Sequence, residues 1–180
     1  MRKRLTVLLL FSILFYGFGQ HKDSIPQHEI KLNVFNLLAF YSVSADYEYL
    51  LNEEGAIGGG FLFHLDRDDD FVENTIDFAL TGFYRHFFTG KYAQGFFVEG
   101  FGMLNSGQFE TFDFSNPSTN SARNTDSYTD IALGIAIGGK FVSPRGFITE
   151  VFLGLGRNVF RDGVSPDIVP RIGISLGYRF

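Results

Sequence analysis

Imidazole suits proton transfer near neutral pH, and a histidine beside a serine or carboxylate is the arrangement that acyl-transfer and hydrolytic sites use. The chain has four histidines. His64 alone is well placed: it closes an alternating apolar segment, points with that segment's polar side chains, and has Asp66 two residues on. His21 and His28 precede the first such segment, and His86 falls at the opposite end of another. The spacing identifies no serine partner for His64, so it reads either as a catalytic group at a rim or as one member of a polar interior. No catalytic residue is assigned. The acidic stretch Asp66, Asp68, Asp69, Asp70 and Glu73 offers carboxylate oxygens to a hard cation such as calcium, with Asp66, Asp68 and Asp70 as weak candidate ligands. It lacks the glycine of an EF-hand loop, and the competing reading is a hydrated acidic loop. Gly58 to Gly60, and Gly100 with Gly102, precede no helix and so form no phosphate-binding loop. No metal or cofactor is expected.

A larger set of charges recurs at strand-like spacing: Lys31, Asp46, Glu48, Asp77, Arg85, Glu99, Asp130, Lys140, Glu150, Arg171 and Arg179. Each occupies the parity opposite to the aliphatic residues of its segment. In the last segment Ile172, Ile174, Leu176, Tyr178 and Phe180 alternate with Arg171, Gly173, Ser175, Gly177 and Arg179. A period of two means that such residues point to opposite faces of a β-strand.

Alternation of this kind, broken by turn-forming clusters, predicts eight strands near residues 29–37, 43–51, 56–65, 74–86, 95–105, 129–141, 147–157 and 170–180. Short links at Asn52 to Gly55, Phe87 to Gln94 and Val142 to Gly146 contrast with two long ones, 106–128 and 158–169. Composition agrees: 23 Phe, 8 Tyr and 21 Gly favour strands, while no Cys excludes disulfides. Residues 1–19 differ from the rest. A basic start at Arg2 to Arg4 precedes an apolar run from Leu5 to Phe18, the layout of a cleaved signal peptide and too short for a spanning helix. Without that segment the chain keeps 12 basic and 20 acidic residues, the wrong sign for a nucleic-acid binder.

Alternation alone fits both a membrane barrel and a soluble lipocalin-like barrel carrying an apolar ligand, because the two differ only in which face turns inward. Small residues and balanced charges on the polar parity fit a narrow interior filled by ion pairs, too full for an open pore. Tyr49, Tyr84, Phe96, Phe141, Phe147, Tyr178 and Phe180 fall where one rim of the barrel would meet a membrane interface. With these features the chain resembles the small eight-stranded outer-membrane barrels of the OmpA and OmpX type, over most of residues 28–180. The resemblance implies insertion by the barrel-assembly machinery through a C-terminal signal. Tyr178 and Phe180 match its two aromatic positions, whereas Ser175 and Gly173 depart from the usual glycine and polar residue.

The expected architecture is therefore all-β, a closed antiparallel up-and-down transmembrane barrel of eight strands. Its parts would be a signal peptide at 1–19, a short periplasmic segment at 20–28 and the barrel at 29–180. The expected function is structural or interactive, in the bacterial outer membrane, with outer-membrane lipid around it and loops 106–128 and 158–169 open to an extracellular partner. A lipid-modifying enzyme using His64 and a secreted soluble barrel are the alternatives.

Overall fold

The computed structural model describes residues 26–65, 76–112, 123–160 and 165–180. The expected signal peptide, most of the segment before the barrel and the acidic stretch 66–73 lie outside them. Eight strands, β1 (His28–Asn33), β2 (Ser42–Leu50), β3 (Gly55–His64), β4 (Phe78–Phe87), β5 (Gly95–Phe112), β6 (Arg123–Val142), β7 (Phe147–Asn158) and β8 (Ile168–Arg179), pair in sequence order. The sheet closes on itself: β1 runs antiparallel to β8, with Lys31 opposite Gly177 and Leu32 opposite Leu176. The tight turns gather at the end where the barrel's first and last residues meet, joined by the His28 to Phe180 backbone bonds. Closure removes the edges that an open sheet would leave unpaired.

The strands form because their side chains alternate, and burial follows the alternation. In β7 every second residue is exposed, from Phe147 through Val151, Leu153 and Leu155, and every residue between is buried. The outer wall is aliphatic, with Ile135 at 69% and Leu133 at 60% exposure. The inner wall holds Lys31, Glu48, Arg85, Glu99, Lys140 and Glu150 almost wholly buried. This is the reverse of a water-soluble protein, in which charged side chains are almost never fully buried.

Three local expectations are corrected. First, β1 stops at Asn33 and a short helix α1 (Val34–Ala39) follows, where continued strand was expected to residue 37. The Asn33 side-chain oxygen accepts from the Asn36 backbone N–H at 3.1 Å, and this N-cap turns the chain into a helix. Second, much of the expected loop 106–128 is strand. β5 and β6 pair as far as Phe112 opposite Arg123, beyond the last β4 pairing at Ser106 and the last β7 pairing at Ala132. Its Ser and Thr residues had read as loop, but threonine also suits a strand, and a ladder already begun extends at small entropic cost.

Third, the interior is not filled by small residues and ion pairs alone, because phenylalanines also turn inward. Phe83, Phe87, Phe97, Phe101 and Phe152 are buried on the inner wall. Glycines make the room. Phe83 lies opposite Gly58, Phe101 opposite Gly134, and Phe152 opposite Gly138 and Gly173. A Cβ on Gly58 would come within 2.3 Å of the Phe83 ring, and one on Gly134 within 2.4 Å of the Phe101 ring. A ring seated over a cross-strand glycine fills a narrow interior without spreading the strands.

Candidate functional site

The charged residues of the inner wall converge on one cluster in the half of the barrel nearer the tight turns. Glu48, on β2, is its hub. It accepts from Lys31 (β1), Arg85 (β4) and Lys140 (β6), the Arg85 Nη1 contact being 2.7 Å. Arg85 Nη1 also donates to Glu150 at 2.7 Å and its Nε to Glu99 at 2.6 Å. Lys31 reaches Glu150 at 2.9 Å, and Lys140 reaches Glu29 at 2.8 Å. Arg171 links Glu99 at 2.7 Å to Asp46 at 3.6 Å. Arg179 pairs with Glu29 at 2.6 Å and donates to the Tyr92 and Ala93 carbonyls, tying β8 to the β4–β5 turn.

Five acids (Glu29, Asp46, Glu48, Glu99, Glu150) thus face five bases (Lys31, Arg85, Lys140, Arg171, Arg179), each in at least one ion pair. Desolvating an ion costs several kcal/mol unless partners and hydrogen bonds replace the lost water, and here most oxygens and nitrogens find them. The inner phenylalanines complete the enclosure. The Arg85 guanidinium carbon lies 4.6 Å from the Phe83 ring centre and 4.5 Å from that of Phe97, Arg171 lies 4.8 Å from Phe152, and Lys140 4.6 Å from Phe87. A desolvated cation over a ring face is worth about 2 kcal/mol. The rings therefore do more than fill space.

Of the charged residues singled out in the sequence, Lys31, Asp46, Glu48, Arg85, Glu99, Lys140, Glu150, Arg171 and Arg179 meet in this cluster. Asp130 and Asp77 do not. Asp130, at the other end of the barrel, accepts from the backbone of Ile131 and Phe160 and from the Ser165 hydroxyl at 2.7 Å, holding the β7–β8 connection. Asp77 sits half-buried just before β4, its backbone bridging His64 and Ser106. Glu29 was missed, although it shares the parity of Lys31 two residues away. That shared parity was the available signal.

At that same far end, His64 has a partner that spacing did not reveal. Ser42 stands opposite it in the β2–β3 ladder, with Oγ 2.9 Å from Nδ1. The Ser42 hydroxyl also lies 3.0 Å from the Phe40 carbonyl, which can accept its proton, and which of Oγ and Nδ1 donates in their own contact is set by the histidine tautomer.

The aromatic residues of the last and neighbouring strands lie near the tight turns. Phe147 meets Tyr178 edge to face at 5.6 Å, His28 stacks on Phe180 at 5.8 Å, and Tyr49 and Tyr84 flank Ile57 in register. Phe96, Phe141 and Phe147 are exposed on the outer wall near the tight turns.

A closed ring of eight antiparallel strands has a counterpart among solved structures. The N-terminal β-barrel domain of Pseudomonas aeruginosa OprF is similar, with a TM-score of 0.54 at 11% identity over 86% of this chain and 98% of that one. This chain has the OmpA/OmpX-like barrel fold. The Yersinia pestis outer membrane protein Ail in a phospholipid bilayer nanodisc also matches, at 16% identity over 87% of this chain and 100% of that one, with a TM-score of 0.39. No protein-family model and no curated protein matches the sequence. Within the OmpA/OmpX-like barrel the ion cluster draws a residue from every strand but β3, where Gly58 and Gly60 stand opposite Glu48 and Asp46.

Proposed function

We propose that the chain is an integral outer-membrane barrel with a structural or surface-interaction role, its interior closed by the ion-pair cluster. The observation that carries this is the inversion of the two walls, with exposed Leu133, Ile135, Leu153 and Leu155 outside and buried Arg85, Lys140 and Glu150 inside. Only an apolar surrounding rewards that arrangement, and in hydrocarbon only a closed sheet satisfies its own backbone. A soluble barrel holding an apolar ligand would need the aliphatic parity inside. The aromatic residues near the tight turns suit the headgroup region on the periplasmic side. Export by the segment 1–19 and insertion by the assembly machinery through Tyr178 and Phe180 belong to the same reading.

The surface offered to a partner is at the far end. There β5 and β6 continue as a two-stranded ribbon that, among the described residues, runs beyond the β4 ladder at Ser106 and the β7 ladder at Ala132, with Val159 and Phe160 bonded beside it to Ile131 and Asp130. Exposed edges and loops on a rigid scaffold are where binding concentrates. Recovery in the outer-membrane fraction, with a folded form that migrates differently on a denaturing gel before and after heating, is the expected result. A product that stays soluble in the periplasm without detergent would overturn the proposal.

The Ser42 and His64 contact is the observation that favours an enzymatic reading. The Phe40 carbonyl, 3.0 Å from the same hydroxyl, competes with His64 for its proton. His64→Ala is expected to leave the lipid A composition unchanged by mass spectrometry, and an altered acyl pattern would restore the enzyme.

A further inference from the structure

Beyond the ion cluster, toward α1, the barrel holds a partly open cavity of about 280 Å³. One side of it is apolar, formed by Leu62, Ala79, Met103 and Phe152. The other carries Asn36, Ser44 and Asp46, with exposures of only 8%, 9% and 6%. The side chains of these three make no hydrogen bond to the described residues. Asp46 has an ion pair with Arg171 Nη2 at a long 3.6 Å, while Arg171 Nη1 is held by Glu99 at 2.7 Å. Buried polar groups in folded proteins are almost always hydrogen-bonded, and three of them turned to one cavity ask for a guest that supplies the bonds.

Charge decides what kind of guest. Asp46 is the fifth acid that balances the five bases below it, so a cation or an anion in the cavity would add a buried charge without a counterpart. A neutral guest leaves the balance intact. It must donate to a carboxylate, exchange hydrogen bonds with a hydroxyl and an amide, and present an apolar face to Met103 and Phe152. The volume lies at the lower edge of the ~300–1,000 Å³ typical of ligand pockets, which suits one sugar ring and excludes an oligosaccharide or an acyl chain.

We infer that this cavity is a binding site for a small neutral polyhydroxylated molecule of the size of a single hexose, held by Asn36, Ser44 and Asp46. The site lies apart from the ribbon and does not depend on its having a partner. The test is isothermal titration of the purified full chain in detergent micelles with D-glucose, D-galactose and N-acetylglucosamine, and with glucosamine and glucuronate as charged counterparts. At least one neutral sugar binds saturably, and both charged sugars bind at least about tenfold more weakly. Ser44→Val, which removes one hydrogen bond, weakens that binding about tenfold. Ala79→Phe fills the cavity and abolishes it, with heat-dependent gel migration reporting that the barrel still forms; if it does not form, Ser44→Val alone carries the comparison. No saturable binding of any neutral sugar, equal binding of a charged one, or binding untouched by Ser44→Val would each overturn the inference and leave a cavity that holds water only.

Discussion

Gly58 and Gly100 belong to the same sheet and meet opposite surroundings. A Cβ at Gly58 would come within 2.3 Å of the Phe83 ring, whereas one at Gly100 would meet nothing within 4 Å. Gly58 is on the inner wall and Gly100 on the outer. The difference extends to whole walls. Around the ion cluster the inside is closely filled, by a ring over a glycine or a base against an acid, and a change of one methyl group is felt. Outside, aliphatic side chains stand apart, and what matters is only that they carry no charge. One sheet therefore has a wall governed by fit and a wall governed by solvation.

The sharpest way to break this comparison is at the hub of the inner wall. Glu48→Ala leaves Lys31, Arg85 and Lys140 without their shared carboxylate, and removing one partner of a buried pair costs about 3–5 kcal/mol. Urea unfolding of the reconstituted barrel is expected to show that loss, and an unchanged midpoint would mean the cluster is hydrated and of little weight. On the outer wall, Ile135→Arg is expected to cost about 2–4 kcal/mol when the barrel is reconstituted in lipid, as charge near a bilayer midplane does. A neutral effect in lipid vesicles would show that this wall faces water. The glycines sharpen the contrast further. Gly58→Val forces the Phe83 ring or the ladder to shift and is expected to cost about 1–3 kcal/mol by the same unfolding measurement. Gly100→Val, with open space around it, is expected to change stability by no more than about 0.5 kcal/mol. Equal costs at the two glycines would erase the distinction between the walls.

Much of the barrel was legible because a strand's faces are fixed by parity. Lys140 and Phe141 are neighbours in sequence, and a period of two sends one inward and the other outward whatever the fold. The features that escaped the sequence depend on what stands across a ladder. Phe97 looked like another apolar residue among many, and only its register opposite Gly138 makes an inward ring possible. Ser42 and His64 are 22 residues apart, and no spacing rule joins them until β2 and β3 are laid side by side. Glu29 was legible but stood at the fringe of its strand. The helix at 34–39 was hidden because Asn33 and Asn36 act through one local hydrogen bond, which alternation does not record.

The sequence by itself determined the number of strands, the face to which most side chains belong and the near balance of acids and bases on the charged parity. These are local properties, carried by chirality and a two-residue repeat. Tertiary structure alone decided which parity is enclosed, which acid meets which base, where rings settle over glycines and where a polar wall is left facing a cavity. Those depend on register and closure, which bring residues more than a hundred positions apart within a hydrogen bond of each other, as Lys31 and Glu150 are at 2.9 Å.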